Sequence, residues 1–186
     1  MRTRVLWLFL IIAGCADRER PISATGAPRS VPATSATQWV ATFDSVGPVA
    51  AGSRYSAVAR SFGVTQARIP ADEDAVACDY VDLPGMPPGV SLMVFRDSIV
   101  RIDIDTTGVQ TREGIGVGSL ESAVLDAYRG RARIESHPYS GPDWHYVIVT
   151  PSRDSTYRMI FETDGLTVHS FRVGLRGAVD LIEGCS

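Results

Sequence analysis

Residues 114–130 read GIGVGSLESAVLDAYRG, and residues 49–63 read VAAGSRYSAVARSFG. At a constant offset of 66, Gly52, Ser53, Ser56, Ala57 and Val58 stand over Gly118, Ser119, Ser122, Ala123 and Val124, with Phe62 over Tyr128. The same offset pairs Tyr80 with Tyr146, Val81 with Val147, Met93 with Met159 and Phe95 with Phe161. A fixed offset kept without a gap from Gly52 to Phe95 marks a tandem repeat.

Each unit opens on a glycine turn, with Ser53 or Ser119 expected as helix N-cap. In the second helix Leu120, Ala123, Val124, Ala127 and Tyr128 fall at i, i+3, i+4, i+7 and i+8, one apolar face. Glu121 suits the first turn of that helix, and Gly63 and Gly130 are expected to end the two helices. In the first helix the expected apolar side is Ala57, Val58 and Phe62.

Strands are expected at 76–83, 90–95 and 99–105, and again at 144–149, 157–162 and 166–173, where Asp164-Gly165 supplies a hairpin turn. Alternation in the third strand sets Val100, Ile102 and Ile104 inward and Arg101, Asp103 and Asp105 outward. The fold class is therefore α+β. Two tandem helix-plus-antiparallel-meander repeats, about 47–108 and 113–174, share one sheet with the helices on one face. They make a single domain of residues 39–186, and a tail from Ala178 to Cys185 lies back on it as a brief helix or an edge strand.

At the start of the chain, Arg2 and Arg4 precede an apolar run from Val5 to Ile12, followed by Ala13-Gly14-Cys15. The order is that of a signal peptide, and the run is shorter than the roughly 20 residues that span a bilayer. Ile12-Ala13-Gly14-Cys15 resembles the lipobox of bacterial lipoproteins. That resemblance implies a lipoprotein signal peptide at 1–14, cleavage after Gly14 and lipid attachment at Cys15. Two or more acyl chains give stable anchoring. By the same family rule Ala16, in place of Asp, implies the outer membrane, facing the periplasm. Residues 15–38 contain almost no large apolar side chain and read as a disordered tether.

The net charge of −3 becomes −5 once Arg2 and Arg4 leave with the signal. No basic stripe is present, which argues against nucleic acid. All 18 basic residues are arginine, and asparagine is also missing. Schiff-base and phosphate-loop lysines and N-glycosylation are thereby excluded. With Cys15 assigned to lipid, Cys78 and Cys185 form an even pair, expected as a disulfide in an oxidising compartment.

Ile115-Gly116-Val117-Gly118-Ser119 with Ala123-Val124, and the copy at Val49 to Ser53 with Ala57-Val58, resemble the helix start of the beta-lactamase-inhibitor-protein-like units. As a single unit they are similar to outer-membrane assembly lipoproteins of the SmpA/OmlA type. The resemblance implies a protein-binding surface on the open sheet face, an envelope protein as partner, no catalysis and no cofactor. Oligomeric state is left open.

Gly114-x-Gly116-x-Gly118 lacks the third spacing and the acidic partner of a dinucleotide fingerprint, so it reads as structure. Arg101, Asp103 and Asp105, beside Arg172, are the candidate binding face. The alternative chemistry is a metal-dependent hydrolase or metal-binding site at His137, Asp143 and His145, where residues two apart on a strand share a face. Otherwise residues 136–143 are a polar loop leading to an edge strand whose Trp144 and Tyr146 pack inward.

Overall fold

Seven strands, all antiparallel, form the main sheet in the order β4-β5-β6-β11-β10-β9-β8. They are β4 (Cys78–Val81), β5 (Val90–Phe95), β6 (Ser98–Ile104), β8 (Ala132–Ser136), β9 (His145–Val149), β10 (Tyr157–Thr163) and β11 (Val168–Leu175). The structure, a computed structural model, describes residues 39–67, 78–154 and 156–185. The expected signal segment and tether, Cys15 and the expected strand start at residues 76–77 lie outside them. No helix among the described residues is long and apolar enough to cross a membrane.

Alternation builds the core. On one sheet face Leu92, Val94, Ile102, Ile104, Val147, Phe161, Phe171 and Val173 are buried together. Helices α1 (Tyr55–Ser61) and α2 (Glu121–Ala127) cover that face through Tyr55, Ala59, Val124 and Tyr128. Phe161 stacks on Phe171 with ring centroids 5.3 Å apart, and Tyr128 lies 5.9 Å from Phe161. Such aromatic pairs add specificity to the area they bury.

A second sheet, of four strands, was not expected from the sequence. It runs β3-β2-β1-β7, from β1 (Val40–Ala41), β2 (Ser45–Val46), β3 (Val49–Ala50) and β7 (Gln110–Thr111), with β1 and β7 parallel. Two-residue strands are too short to display a period of two, so composition cannot announce them. Strand β8 is likewise not announced by its sequence. Its sequence, Ala-Arg-Ile-Glu-Ser, is exposed along nearly its whole length and carries a single large apolar residue.

The helix starts differ from expectation. Arg54 and Leu120, in place of Ser53 and Ser119, hold the cap positions, and no side chain there bonds the helix. Carbonyls of the β5–β6 and β10–β11 turns take over: Tyr55 N–H donates to Asp97 O at 3.0 Å, and Glu121 N–H to Leu166 O at 2.9 Å. The Asp97 carboxylate also accepts from Ser56 N–H at 2.8 Å and from its hydroxyl at 2.9 Å. With its first amide bonded by a hairpin turn, neither helix needs a local cap. This docking turns each helix about its axis. Ala57 is exposed, Leu120 is 57% exposed, and Tyr55 and Glu121 enter the interior instead.

A β-bulge corrects the expected parity of β6. Met93 faces Arg101 and Val94 faces Ile99, leaving Val100 as the extra residue. Ile99 therefore goes into the core, and Val100 turns to the opposite face, as expected of a bulge that re-aims its neighbours. Sequence offset misleads here too. Met159 and Phe161 are core residues, while Met93 and Phe95 border a groove on the other face.

The tail takes the helical option. Helix α3 (Arg176–Val179) packs Val179 onto Tyr146, Ile148 and Ile160, on the sheet face away from α1 and α2. Helices thus lie on both faces, not one. Trp144 and Tyr146, expected inward, belong to this outer face, because β9 alternates with Val147 and Val149 in the main core.

Candidate functional site

The outer sheet face with the tail lying across it holds most of the buried charge among the described residues. Pairing across the sheet aligns Ser91, Asp103, Arg172, Ile160, Ile148 and Arg133 in one row. Arg101 and Arg158 flank Gly174 in the row beside it. Arg101, Arg158 and Arg172 are all buried. An unpaired guanidinium there would cost far more than the local packing returns, so each needs partners.

The tail supplies them. Arg101, expected at the surface, is only 5% exposed. Its Nε and Nη2 grip the Asp103 carboxylate at 2.6–3.0 Å, and its Nη1 donates to Leu181 O at 2.6 Å and Ala178 O at 3.3 Å. Arg172 Nε donates to Val179 O at 2.8 Å, and its guanidinium lies 5.0 Å from the Tyr146 ring centre. Arg158 pairs with Asp180, which Arg176 also approaches at 3.8 Å. The last carbonyls of a helix have no partner within it and carry negative partial charge. Arginines under the end of α3 satisfy both demands. Burial and the like charge of Arg101 push the Arg172 guanidinium below its ordinary pKa. Among the described buried side-chain atoms, Arg158 Nε is the one without an acceptor.

Cys78 and Cys185 are joined, closing a separation of 107 residues and tying the tail to β4. Gly184 is required beside that tie. It has φ +66, and a Cβ there would lie 2.4 Å from Tyr80 Oη.

Two grooves flank the tail. One, of about 540 Å³, is apolar and runs along Met93, Phe95, Val100, Leu175 and Leu181 beside the disulfide. Phe95 is 43% exposed at its rim, and Tyr80, Leu181 and Ile182 are also exposed. The other, of about 330 Å³, is lined by Arg133, Arg158, Arg172 and Arg176 with Glu135 and Asp180. Asp103 and Asp105, from the expected binding face, line a smaller cleft of about 230 Å³ with Arg172. The expected stripe is therefore divided: Asp105 is exposed, Asp103 partly covered, and Arg101 lies under the tail.

The histidines do not converge. His137 faces outward, its ring nitrogens engaged by Tyr146 Oη at 2.8 Å, Glu162 at 3.2 Å, and the backbone amides of Tyr139 and Ser140. His145 lies on the helix face, 2.9 Å from Glu121 Oε2, which also accepts from Thr163 Oγ1. Asp143 sits in the preceding turn. The sheet itself separates the two rings, so residues two and eight apart in sequence give no common point for a metal. No group of three or more His, Cys, Asp or Glu among the described residues could hold one.

In the glycine-rich stretch, Gly116 is needed for close approach, since a Cβ there would lie 2.5 Å from Val109 O. Sequence reasoning missed Arg158, Arg176 and the buried Glu121. A charged residue within an apolar strand, such as Arg158 in Tyr157–Thr163, was the available signal. Compared with protein-family models, with curated proteins and with solved structures, the chain shows no match to any of them.

Proposed function

We propose that the chain is a lipid-anchored bacterial envelope protein, built from two copies of one unit, that binds another envelope protein without catalysing a reaction. The anchor at Cys15, the tether and the outer-membrane address rest on the N-terminal sequence. The doubled unit is supported by matching backbone detail. Gly52 and Gly118 both have φ +87. Gly52 N–H donates to Ile99 O and Gly118 N–H to Val168 O, while Ile99 N–H and Val168 N–H return to Ser53 O and Ser119 O.

The sheet partners of the helices thus match at an offset of 69, with 66 kept for the helices themselves. The bulge obeys the same rule. Val100 is the extra residue between Val94–Ile99 and Met93–Arg101, and His169 between Thr163–Val168 and Glu162–Ser170. Three extra residues in the β9–β10 hairpin, between Val147 and Met159 against Val81 to Val90 in the first copy, account for the change of offset. Two copies joined through β6 and β11 would form the one shared sheet.

The observation that favours binding is the apolar groove beside the tail, with Phe95 and Leu181 open to solvent at its rim. A soluble domain gains nothing by wetting such a patch, and contiguous exposed apolar surface is characteristic of interaction sites. Residues of the outer face differ between the copies, so the tail, the disulfide and this groove belong to one end only.

Envelope crosslinking followed by affinity capture tests the reading. Phe95→Asp with Leu181→Asp should lose the captured partner, while Asp126→Arg, on exposed α2 surface, should keep it. Identical partners from all three proteins would reject the groove as the binding site. For the anchor, mass spectrometry of the mature N-terminus should find diacylglyceryl on Cys15, and Cys15→Ser should release the protein from membranes.

A further inference from the structure

We infer that two copies of this chain join edge to edge through strand β8, making a two-fold symmetric dimer with one continuous sheet. The inference stands apart from the proposed envelope partner and uses different residues.

Strand β8 ends the seven-stranded sheet, paired only with β9 among the described residues, and residues 133–136 are exposed. The opposite edge, β4, is where the disulfide fastens the tail. Thr150 N–H donates to Arg131 O, and His137 N–H to Trp144 O. Bonding pairs alternate along an antiparallel ladder, so Arg133 and Glu135 also bond inward to β9. The backbone N–H and C=O of Ile134 and Ser136, and the C=O of Ala132, then point to the open edge. Ala132 N–H is already used by Tyr128 O.

Side chains select the occupant and the register. Arg133 and Glu135 share the outer face and pair with each other within the strand. Ile134, 45% exposed, lies on the helix face between them. An antiparallel copy centred on Ile134 sets each Arg133 opposite the second copy's Glu135, twice over by symmetry. The two isoleucines then meet at the axis, and Ile134 N–H and Ser136 N–H find Ile134 O and Ala132 O across it. Moving the centre by one residue sets Arg133 against Arg133, or Glu135 against Glu135, and like charges directly opposite are unfavourable. One register alone satisfies backbone and charge together. A self-complementary patch of this kind is what a two-fold interface requires.

Sedimentation velocity of the full chain, over about a hundredfold range of concentration, reads the result. Wild type should pass from monomer to dimer. Arg133→Glu and Glu135→Arg should each turn two attractive cross-strand pairs into two repulsive ones. Association should weaken by roughly tenfold to a hundredfold. The double exchange Arg133→Glu with Glu135→Arg should restore it. Ile134→Cys should crosslink to its own copy under mild oxidation. All these positions are exposed, so circular dichroism should be unchanged. A wild type that stays monomeric, single reversals that associate like wild type, or a double exchange that fails to recover would each overturn the inference.

Discussion

Replacing Arg101 by Met keeps an unbranched apolar stem, though a shorter one, and removes the charge that holds the tail. Three losses follow. The Asp103 carboxylate, with about a quarter of its side chain still wet, loses a partner bonded through Nε and Nη2. Leu181 O and Ala178 O lose their shared donor. Removing one member of a fully buried charged pair costs roughly 3–5 kcal/mol. Water reaching Asp103 lowers that share to about 1–2 kcal/mol. The carbonyl bonds, one short and one long, add roughly 1–2 kcal/mol because their donor is charged. Methionine packing on Tyr80 returns part of this, so the expected net loss is about 2–3 kcal/mol. Urea unfolding of the purified, oxidised protein measures it. For a domain of this size the midpoint of a thermal scan should fall by roughly 4–12 °C. Arg101→Met with Asp103→Asn should cost less than the sum of the two single changes, because the second removes the stranded carboxylate. A loss below about 0.5 kcal/mol for Arg101→Met, or strict additivity of the pair, would refute the tail clasp.

Other outcomes follow from the same geometry. Gly184→Ala should destabilise by about 1–3 kcal/mol in urea and speed reduction of the disulfide, since the turn has positive φ and Tyr80 Oη blocks a methyl group. Cys185→Ser should lower stability by about 5 kcal/mol on the chain-entropy account of a 107-residue loop. Ser53→Ala should change stability by less than about 0.5 kcal/mol, where a true N-cap would cost about 1 kcal/mol. Asp164 is held well below the usual carboxylate range, first by His169 and then by the amides of Thr167 and Leu166. A depressed carboxylate contributes stability above its unfolded pKa, and that contribution is lost as pH falls below about 4. Asp164→Asn should therefore flatten the acid limb of a stability–pH curve, read by thermal scans between neutral pH and pH 3.

The sequence made the strands legible because alternation is a local property. Val90–Phe95 lies where its pattern placed it, and β9, β10 and β11 start or end within two residues of expectation. Pairing of Cys78 with Cys185 was expected from cysteine number and an expected oxidising compartment, independent of any geometry. What escaped notice depends on partners distant in sequence. Ser53 looks like a cap until Asp97, in the turn between β5 and β6, supplies the carbonyl and carboxylate that replace it. Val100 keeps the inward parity until a bulge against Met93 and Val94 reverses it. Arg101 reads as a wet residue on a half-exposed strand, and only the tail, about 80 residues further on, buries it. His137 and His145 look close in sequence, yet the pleat between them decides that they do not meet. The main groove combines both kinds of information: Phe95 is a strand residue found by pattern, while Leu181 reaches it through the tail.

A photo-crosslinking residue placed at Phe95, compared with one at Asp126 on the far face, tests the binding account most directly. In living cells position 95 should yield a discrete adduct with an envelope protein, and position 126 should yield none. Equal adducts at both positions, or none at position 95, would contradict it.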